Sequence, residues 1–442
     1  MNDSNGVMRR KVLLASMIGN FVEWFDYALY GLFATTIATV FFPKSDPKAA
    51  LLATFAIFGA SFVVRPLGGI VFGHLGDKFG RRFTLLLSVM LMSAATVAVG
   101  LLPGYAQIGI AAPMLLLACR LVQGFSVGGE YTGSLVFVAE HAPLGKRGRY
   151  ASIPSAASYV AGIFGVSVAL SVTATTTPEQ LASWAWRVPF LLAAPLALVG
   201  VYLRVRVEES PEFAAMQAAG DIESAPVKKA LKVAKKPMLI LIGWVMAVSV
   251  ASWLLSAFIL SYLTTTVGFS KTESLVVQFV WYVSVVFGCL LSGFAIDRVG
   301  RKPVAVASAL ALGASAIPTF AILRHSSVLG AALVIAVLAI FFSGAWTTTG
   351  LIVAELFPAH LRSSASAMSY NFCAGLFGGT APFVATWLVE QGYPLGPGYY
   401  LAALCAIAVI VAAIGIGNHA PTNSPRNDLT PIPSESSPLA NV

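Results

Sequence analysis

The sequence predicts an all-α membrane protein of twelve transmembrane helices, built as two parallel six-helix repeats. Three observations carry that prediction. Of the 442 residues, 57% are hydrophobic and 11% charged, against roughly 25% charged in an ordinary soluble domain, so no water-soluble fold could hide the apolar surface. Apolar stretches of about twenty residues, the length that crosses a bilayer core roughly 30 Å thick, recur along nearly the whole chain. A ten-residue pattern near residue 73 also returns 220 residues later, which points to a duplicated unit.

Taken in order, the first six spans read as 12–41, 51–73, 84–103, 111–139, 150–173 and 186–204. The first is about thirty residues long and lacks a small-residue cleavage site, so it reads as a retained helix and not a signal peptide. The second six read as 238–264, 274–296, 303–323, 328–354, 364–389 and 398–417. Between the sixes lies a polar stretch rich in lysine. The expected organisation is therefore a bundle over 1–204, a cytoplasmic linker over 205–236, a second bundle over 237–418 and a cytoplasmic tail over 419–442. That tail is rich in Pro, Ser and Asn without heptads, a composition that predicts disorder.

The net charge of +9 does not predict a nucleic-acid partner, because the basic residues sit in the short connections between apolar segments. They report topology. With the N-terminus inside, 21 of the 28 lysines and arginines fall on the cytoplasmic side, which predicts both termini in the cytoplasm of a multi-pass inner-membrane protein. The four cysteines, Cys119, Cys289, Cys373 and Cys405, lie inside apolar segments without paired spacing, so neither a disulfide framework nor a zinc site is indicated.

The repeat pairs Gly73-His-Leu-Gly-Asp77-Lys-Phe-Gly80-Arg81-Arg82 with Gly293-Phe-Ala-Ile-Asp297-Arg-Val-Gly300-Arg301-Lys302. A second echo pairs Glu140, Pro143 and Arg147 with Glu355, Pro358 and Arg362, at an offset of 215. Both echoes fall in cytoplasmic connections, between the second and third or the fourth and fifth spans of each half. The halves are thus parallel repeats, an arrangement expected of alternating-access carriers.

A charge at the bilayer centre costs about 2.5–3.5 kcal/mol on insertion scales, so charges within spans are functional candidates. Five stand deep, all in the first half: Glu23, Asp26, Arg65, Arg120 and Glu130. Glu23, Asp26 and Tyr27 share one face of the first span by their i, i+3, i+4 spacing. At 1.5 Å per residue, Glu23, Arg65 and Glu130 lie roughly 13–16 Å from their helix ends and so share a depth. Two readings stand. Glu23, Asp26 and Glu130 are candidates for proton coupling, since a carboxylate that loses its cationic partner in a low dielectric tends to take up a proton; the other reading is a static bridge that locks the bundle. Arg120, nearer the outer end, could receive a carboxylate or snorkel to the headgroups. Arg187 reads as an interfacial anchor. The second half offers polar and aromatic groups: Trp253, Tyr262, Trp281, Tyr282, Trp346, Tyr370 and Asn371. A quaternary ammonium could rest against such rings, which otherwise serve packing and interfacial belts.

The loop pattern at Gly73–Arg82 resembles that of the major facilitator superfamily. The runs Gly19-Asn-Phe-Val-Glu23-Trp24-Phe-Asp26-Tyr27, Arg65-Pro66-Leu-Gly68-Gly69 and Gln123-Gly-Phe-Ser-Val-Gly-Gly-Glu130-Tyr131-Thr-Gly133 are similar to those of the metabolite:proton symporter family. The Gly-Gly-Glu-Tyr-Thr-Gly run and the following Val-Ala-Glu-His-Ala-Pro most resemble its proline/glycine-betaine branch. The resemblance implies a major facilitator fold and proton-coupled import of a small solute. It also implies a cytoplasmic gate latch formed by Asp77, Arg81 and Arg82 with their second-half counterparts Asp297 and Arg301. Candidates for solute contact are Arg65, Arg120, Tyr27, Tyr131 and Trp346. Two arginines against three carboxylates favour a zwitterion such as proline or glycine betaine over an organic acid of the 2-oxoglutarate, citrate or shikimate kind. The expected partners are the solute, protons and the lipid bilayer.

Other classes are weaker. Gly124-Phe-Ser126-Val-Gly128 formally matches a nucleophile pattern, but no strand precedes it and no histidine lies deep enough to serve as its base. No Gly-x-x-x-x-Gly-Lys-Ser/Thr run appears, so neither an ATPase motor of that type nor a cofactor is expected. A non-transporting sensor would be favoured by a folded signalling tail, which the tail composition does not suggest.

Overall fold

The computed structural model describes residues 20–79, 81–127, 135, 142, 145–205, 234–357 and 359–417. These form helices without any strand among the described residues. We number the transmembrane helices α1 (20–41), α2 (47–79), α3 (Arg81–Leu101), α4 (from Ala111–Ser126), α5 (Arg147–Thr175), α6 (178–205), α7 (Lys235–Val267), α8 (Lys271–Val299), α9 (Arg301–Leu323), α10 (Val328–Glu355), α11 (359–390) and α12 (Gly396–Gly415). Among the described residues, nine helices are long and apolar enough to cross a membrane, and two shorter apolar stretches fall in α3 and α4. The linker, apart from residues 205 and 234–236, and the whole of the tail 419–442 lie outside the described residues.

Several helices run past the spans expected from hydropathy. α2 occupies 47–79 instead of 51–73, α8 occupies Lys271–Val299 instead of 274–296, and α6 starts at 178 instead of 186. The added turns are polar and capped, so an apolar window does not register them. Pro47 opens α2 behind Asp46, whose carboxylate accepts from the Lys48 and Ala49 amides. Ser270 and Glu273 form a reciprocal capping box at α8, the Ser270 amide donating to Glu273 at 2.8 Å and the Glu273 amide to Ser270 at 3.2 Å. Between α8 and α9 the chain reverses at Gly300, whose φ of 92° is open to glycine and costly for other residues.

The outer surface is apolar: Leu67, Ile70, Leu198, Phe287, Leu291, Leu329 and Ile414 all point outward. In water such a perimeter would be an aggregation surface, whereas in lipid it is the expected boundary. Many buried hydroxyls bond back to the preceding helical turn, as Ser155, Thr348, Thr349 and Ser369 do, which meets their polar demand within their own helix.

The two sixes meet mainly through α5 against α8 and α2 against α11. These are one interface seen twice. The 220-residue offset carries α2 onto α8, and the 215-residue offset carries α5 onto α11, so exchanging the halves converts the first pairing into the second. Where α5 meets α8, a side chain at Gly148 would collide with the Gly293 carbonyl and the Asp297 carboxylate; where α2 meets α11, one at Gly59 would press on the Gly379 carbonyl. Glycine at these positions sets how closely the halves approach.

Candidate functional site: a charged and aromatic cavity between the halves

Glu23, Trp24 and Tyr27 of α1, with Phe62 and Arg65 of α2, form the first-half wall of a small cavity between the halves. Trp253 of α7 and Tyr370 and Ala374 of α11 close it from the second half. One turn of α1 thus delivers all three of its candidates. Glu23 and Tyr27, four residues apart, face the cavity, while Asp26 faces the first-half interior.

Arg65 Nη2 donates to Glu23 Oε1 at 3.0 Å, and both residues are buried, 5% and 3% exposed. The guanidinium lies over the rings of Phe62 (4.4 Å) and Tyr27 (4.9 Å). The pair is not saturated: Glu23 Oε2 and Arg65 Nε make no hydrogen bond among the described residues. The Tyr27 hydroxyl likewise makes no hydrogen bond among the described residues. A buried polar atom without a partner carries a free-energy penalty of about 1–3 kcal/mol, more when charged, so the cavity holds an acceptor, a donor and a hydroxyl that a polar guest would satisfy.

Asp26 belongs to a second and separate cluster. Its carboxylate accepts from Arg120 Nη1 (2.8 Å), Thr96 Oγ1 (2.8 Å) and Gln123 Nε2 (2.7 Å), and Gln123 Oε1 in turn accepts from Arg120 Nη1 (2.8 Å). Arg120 is 1% exposed and packs under Tyr30, its guanidinium 4.5 Å from the ring centre. The snorkelling alternative for Arg120 is therefore excluded. Nine residues along α4, the side chain is deep inside the bundle and has a carboxylate within reach, so it has no reason to seek the headgroups. Nor does Arg120 line the cavity; Asp26 takes it instead. Arg187 does act as an anchor, donating to the carbonyls of Gly100 and Leu102 where α3 ends.

Trp346, expected at the solute, stands one layer back: it meets Trp24 edge-on at 5.4 Å and Tyr159 at 5.7 Å. Trp24 stacks on Trp253 at 5.6 Å across the two halves. Glu130 and Tyr131 lie outside the described residues, and so do the side chains of Asp77, Arg81 and Arg82.

The second-half wall depends on a local departure from α-helical winding. Immediately after Trp253, α7 widens into a π-turn over Leu254–Phe258, and α11 does the same over Ala374–Gly378, starting at the cavity residue Ala374. Such turns shift side chains around the axis and expose carbonyls. In α7 the Leu255 and Ser256 carbonyls are taken by α8, with Gln278 donating to Leu255 at 2.9 Å and Tyr282 to Ser256 at 3.4 Å. In α11, Gly378 leaves room for the Trp253 ring and Gly379 for Phe62. No period or motif in the sequence announces these turns. The nearest signal was the glycine run at 375–379.

Charged bridges join the halves at the end that the basic-residue count assigns to the cytoplasm. Asp297 accepts from the Gly148 amide (2.7 Å) and from Arg149 Nε (2.8 Å). Glu355 is held by Arg147 (2.9 Å) and by Arg301. The sequence singled out Asp297 and Arg301 but noticed Glu355 and Arg147 only as echoes of Glu140 and Arg362. At the opposite end, Lys48 pairs with Glu390 at 2.7 Å and Lys271 Nζ donates to Thr36 Oγ1 at 2.6 Å.

Two family models match the chain: sugar (and other) transporter over residues 11–233 and major facilitator superfamily over 244–441. The proline/betaine transporter of Salmonella typhimurium is 37% identical over 440 residues, covering 96% of this chain and 86% of that protein. The glycine betaine/proline/ectoine/pipecolic acid transporter of Dickeya dadantii matches at the same identity and coverage. Among solved structures, the proton:xylose symporter XylE bound to 6-bromo-6-deoxy-D-glucose superposes with a TM-score of 0.74 at 18% identity, covering 94% of this chain and 98% of that one. The partially occluded inward-open form of XylE from E. coli gives 0.71 at 18% identity, covering 91% and 96%. With the spans, the two-fold interface and these matches in agreement, the chain belongs to the major facilitator superfamily.

Proposed function

We propose that the protein is a secondary active transporter that imports a small zwitterion, proline or glycine betaine, together with protons by alternating access. The observation that carries this reading is the cavity between the halves, in which a buried carboxylate and a buried guanidinium each keep one polar atom that has no partner among the described residues, beside a wall of aromatic rings. A zwitterion offers one charge to each. A dicarboxylate would bring two negative groups against Arg65 and leave Glu23 facing a like charge. The names of the relatives support the same solute class.

In this reading Arg65 receives the solute carboxylate and Tyr27 helps to shape the cavity. Trp346 backs Trp24. Asp26 carries the coupled proton, because the Glu23–Arg65 pair faces the solute while the Asp26–Arg120 pair stands off the cavity and can be repositioned as the helices move. Glu23 senses the solute directly, and Glu130 remains a second candidate for the proton. Tyr131 remains a candidate for solute contact, as does Arg120 should Asp26 release it. The bridges of Asp297 and Arg301, with Asp77, Arg81 and Arg82 as their repeat counterparts, hold the cytoplasmic end shut and part when that end opens. The bundles span 1–204 and 237–418, joined by the linker 205–236 and followed by the tail 419–442, with both termini in the cytoplasm. The cytoplasmic membrane is the location.

The test is uptake of labelled proline, glycine betaine, 2-oxoglutarate and shikimate into cells lacking their own carriers, with and without a protonophore. The expected result is accumulation of proline or betaine that the protonophore abolishes and that Asp26→Asn or Glu130→Gln impairs. Accumulation of an acid alone overturns the solute class, and uptake unchanged in both variants overturns the coupling assignment.

A further inference from the structure

We propose that the cavity recognises the cationic head of its solute by two separable walls: Glu23 Oε2 takes an ammonium that bears N–H groups, and Trp253 takes a fully methylated one. The inference rests on the zwitterion reading above and concerns how one cavity serves two kinds of head group.

Glu23 spends one oxygen on Arg65 and leaves the other buried and unpartnered among the described residues. A secondary ammonium, as in proline, can give that oxygen a short charge-assisted hydrogen bond. A quaternary ammonium cannot, since it has no N–H, and its charge is spread over methyl groups whose best neighbours are aromatic faces. Such a ring is present. Trp253 lines the cavity from the second half, stacked on Trp24 at 5.6 Å and met edge-on by Tyr27, Phe58 and Phe62 at 5.2–5.3 Å. Its backbone position is fixed too, because the π-turn that follows is tied to α8 through Gln278 and Tyr282. The carboxylate end is common to both solutes and falls to Arg65, whose Nε is unpartnered among the described residues.

The two walls come from different halves and from different chemistry, so they can be removed one at a time. The experiment measures direct binding of labelled proline and labelled glycine betaine to the purified full chain in nanodiscs. It compares the wild type with Glu23→Gln, Trp253→Leu and Trp253→Phe. The quantity read is the ratio of the proline Kd to the betaine Kd, which cancels any loss of folded protein and any general change at Arg65. The ratio should rise about tenfold in Glu23→Gln, the loss of one charged hydrogen bond. It should fall about tenfold in Trp253→Leu, the loss of one desolvated cation–π contact. Trp253→Phe, which keeps a ring, should bring the ratio most of the way back. A ratio that stays within about threefold of wild type in both Glu23→Gln and Trp253→Leu overturns the two-wall assignment while leaving the zwitterion reading intact. A wild type that binds neither solute overturns the reading itself and this inference with it.

Discussion

Replacing Asp26 by alanine removes the only carboxylate that the described residues place against Arg120. The guanidinium would keep the Gln123 side-chain oxygen at 2.8 Å and the Ser61 hydroxyl at 3.4 Å, which are neutral acceptors, and the site admits no water from outside, as Arg120 is 1% exposed. Breaking a buried pair in this way costs about 3–5 kcal/mol, because the orphaned charge stays where it is. Arg120→Met is the milder change. It leaves Asp26 with the Thr96 and Gln123 donors, and a carboxylate can discard its charge by taking a proton, so the loss should be about 1–3 kcal/mol. The double variant removes both charges and should lose less than Asp26→Ala alone, since apolar replacement of a buried pair is often close to neutral. Equilibrium unfolding in mixed micelles, followed by tryptophan fluorescence, measures all four proteins. A coupling energy near 2 kcal/mol or more is expected. Losses that add to within about 0.5 kcal/mol would mean that the two side chains act independently and that Asp26 and Arg120 form no coupled pair.

Two further outcomes follow from the ends of the bundle. Arg147→Ala should cost under about 1 kcal/mol by the same unfolding measurement, because its side chain is 51% exposed and solvent-screened. Arg301→Ala, whose side chain is 10% exposed and also reaches the Gly417 carbonyl at 3.3 Å, should cost about 1–3 kcal/mol; equal losses would argue against an ordered Glu355 bridge. Gly148→Val should force α5 and α8 apart, so a cysteine substituted for the buried Ser152 in a background without native cysteines should react several-fold faster with a water-soluble maleimide. An unchanged rate would show that the contact is not tight.

The fold was legible because its two signals, apolar length and the 220-residue echo, are properties of long segments and survive errors of a few residues at each boundary. The Glu23–Arg65 pair was legible for a similar reason: axial rise alone put both side chains at one depth. Asp26 and Arg120 were harder. Arg120 was judged by its nearness to the start of a span, yet nine residues are roughly 14 Å of helix, enough to bring it level with Asp26, which lies three residues outward of Glu23. What rise cannot give is azimuth: nothing in the spacing says that Asp26 turns inward to α4 while Glu23 and Tyr27 turn to the second half. The cavity's aromatic wall is legible only as membership of a longer set: Trp253 and Tyr370 stand among seven polar and aromatic groups of the second half, and nothing in the sequence separates them from the other five. The π-turn beside Trp253 and the one beginning at Ala374 replace i→i−4 bonds with i→i−5 bonds without any change in composition.

The two-fold relation between the halves is kept at the interface and broken at the centre, and the break bears on what the protein selects. On the α5–α8 side, Tyr159, Trp281, Phe342 and Trp346 fill the space between the halves with rings in mutual contact. On the α2–α11 side, Phe62, Arg65, Tyr370 and Ala374 line the corresponding space, and there the cavity remains. Charge is broken in the same sense, since the buried ion pairs at mid-depth belong to the first half while the second half contributes rings. A solute that touches both halves therefore meets buried charge on the first and aromatic rings on the second. A neutral isostere would leave Glu23 Oε2 and Arg65 Nε dry and unpaired once the halves close over it. Rejection by unpaired buried groups is steeper than rejection by size, so selectivity in this cavity comes less from its volume than from polar atoms such as Glu23 Oε2 and Arg65 Nε that find no partner among the described residues.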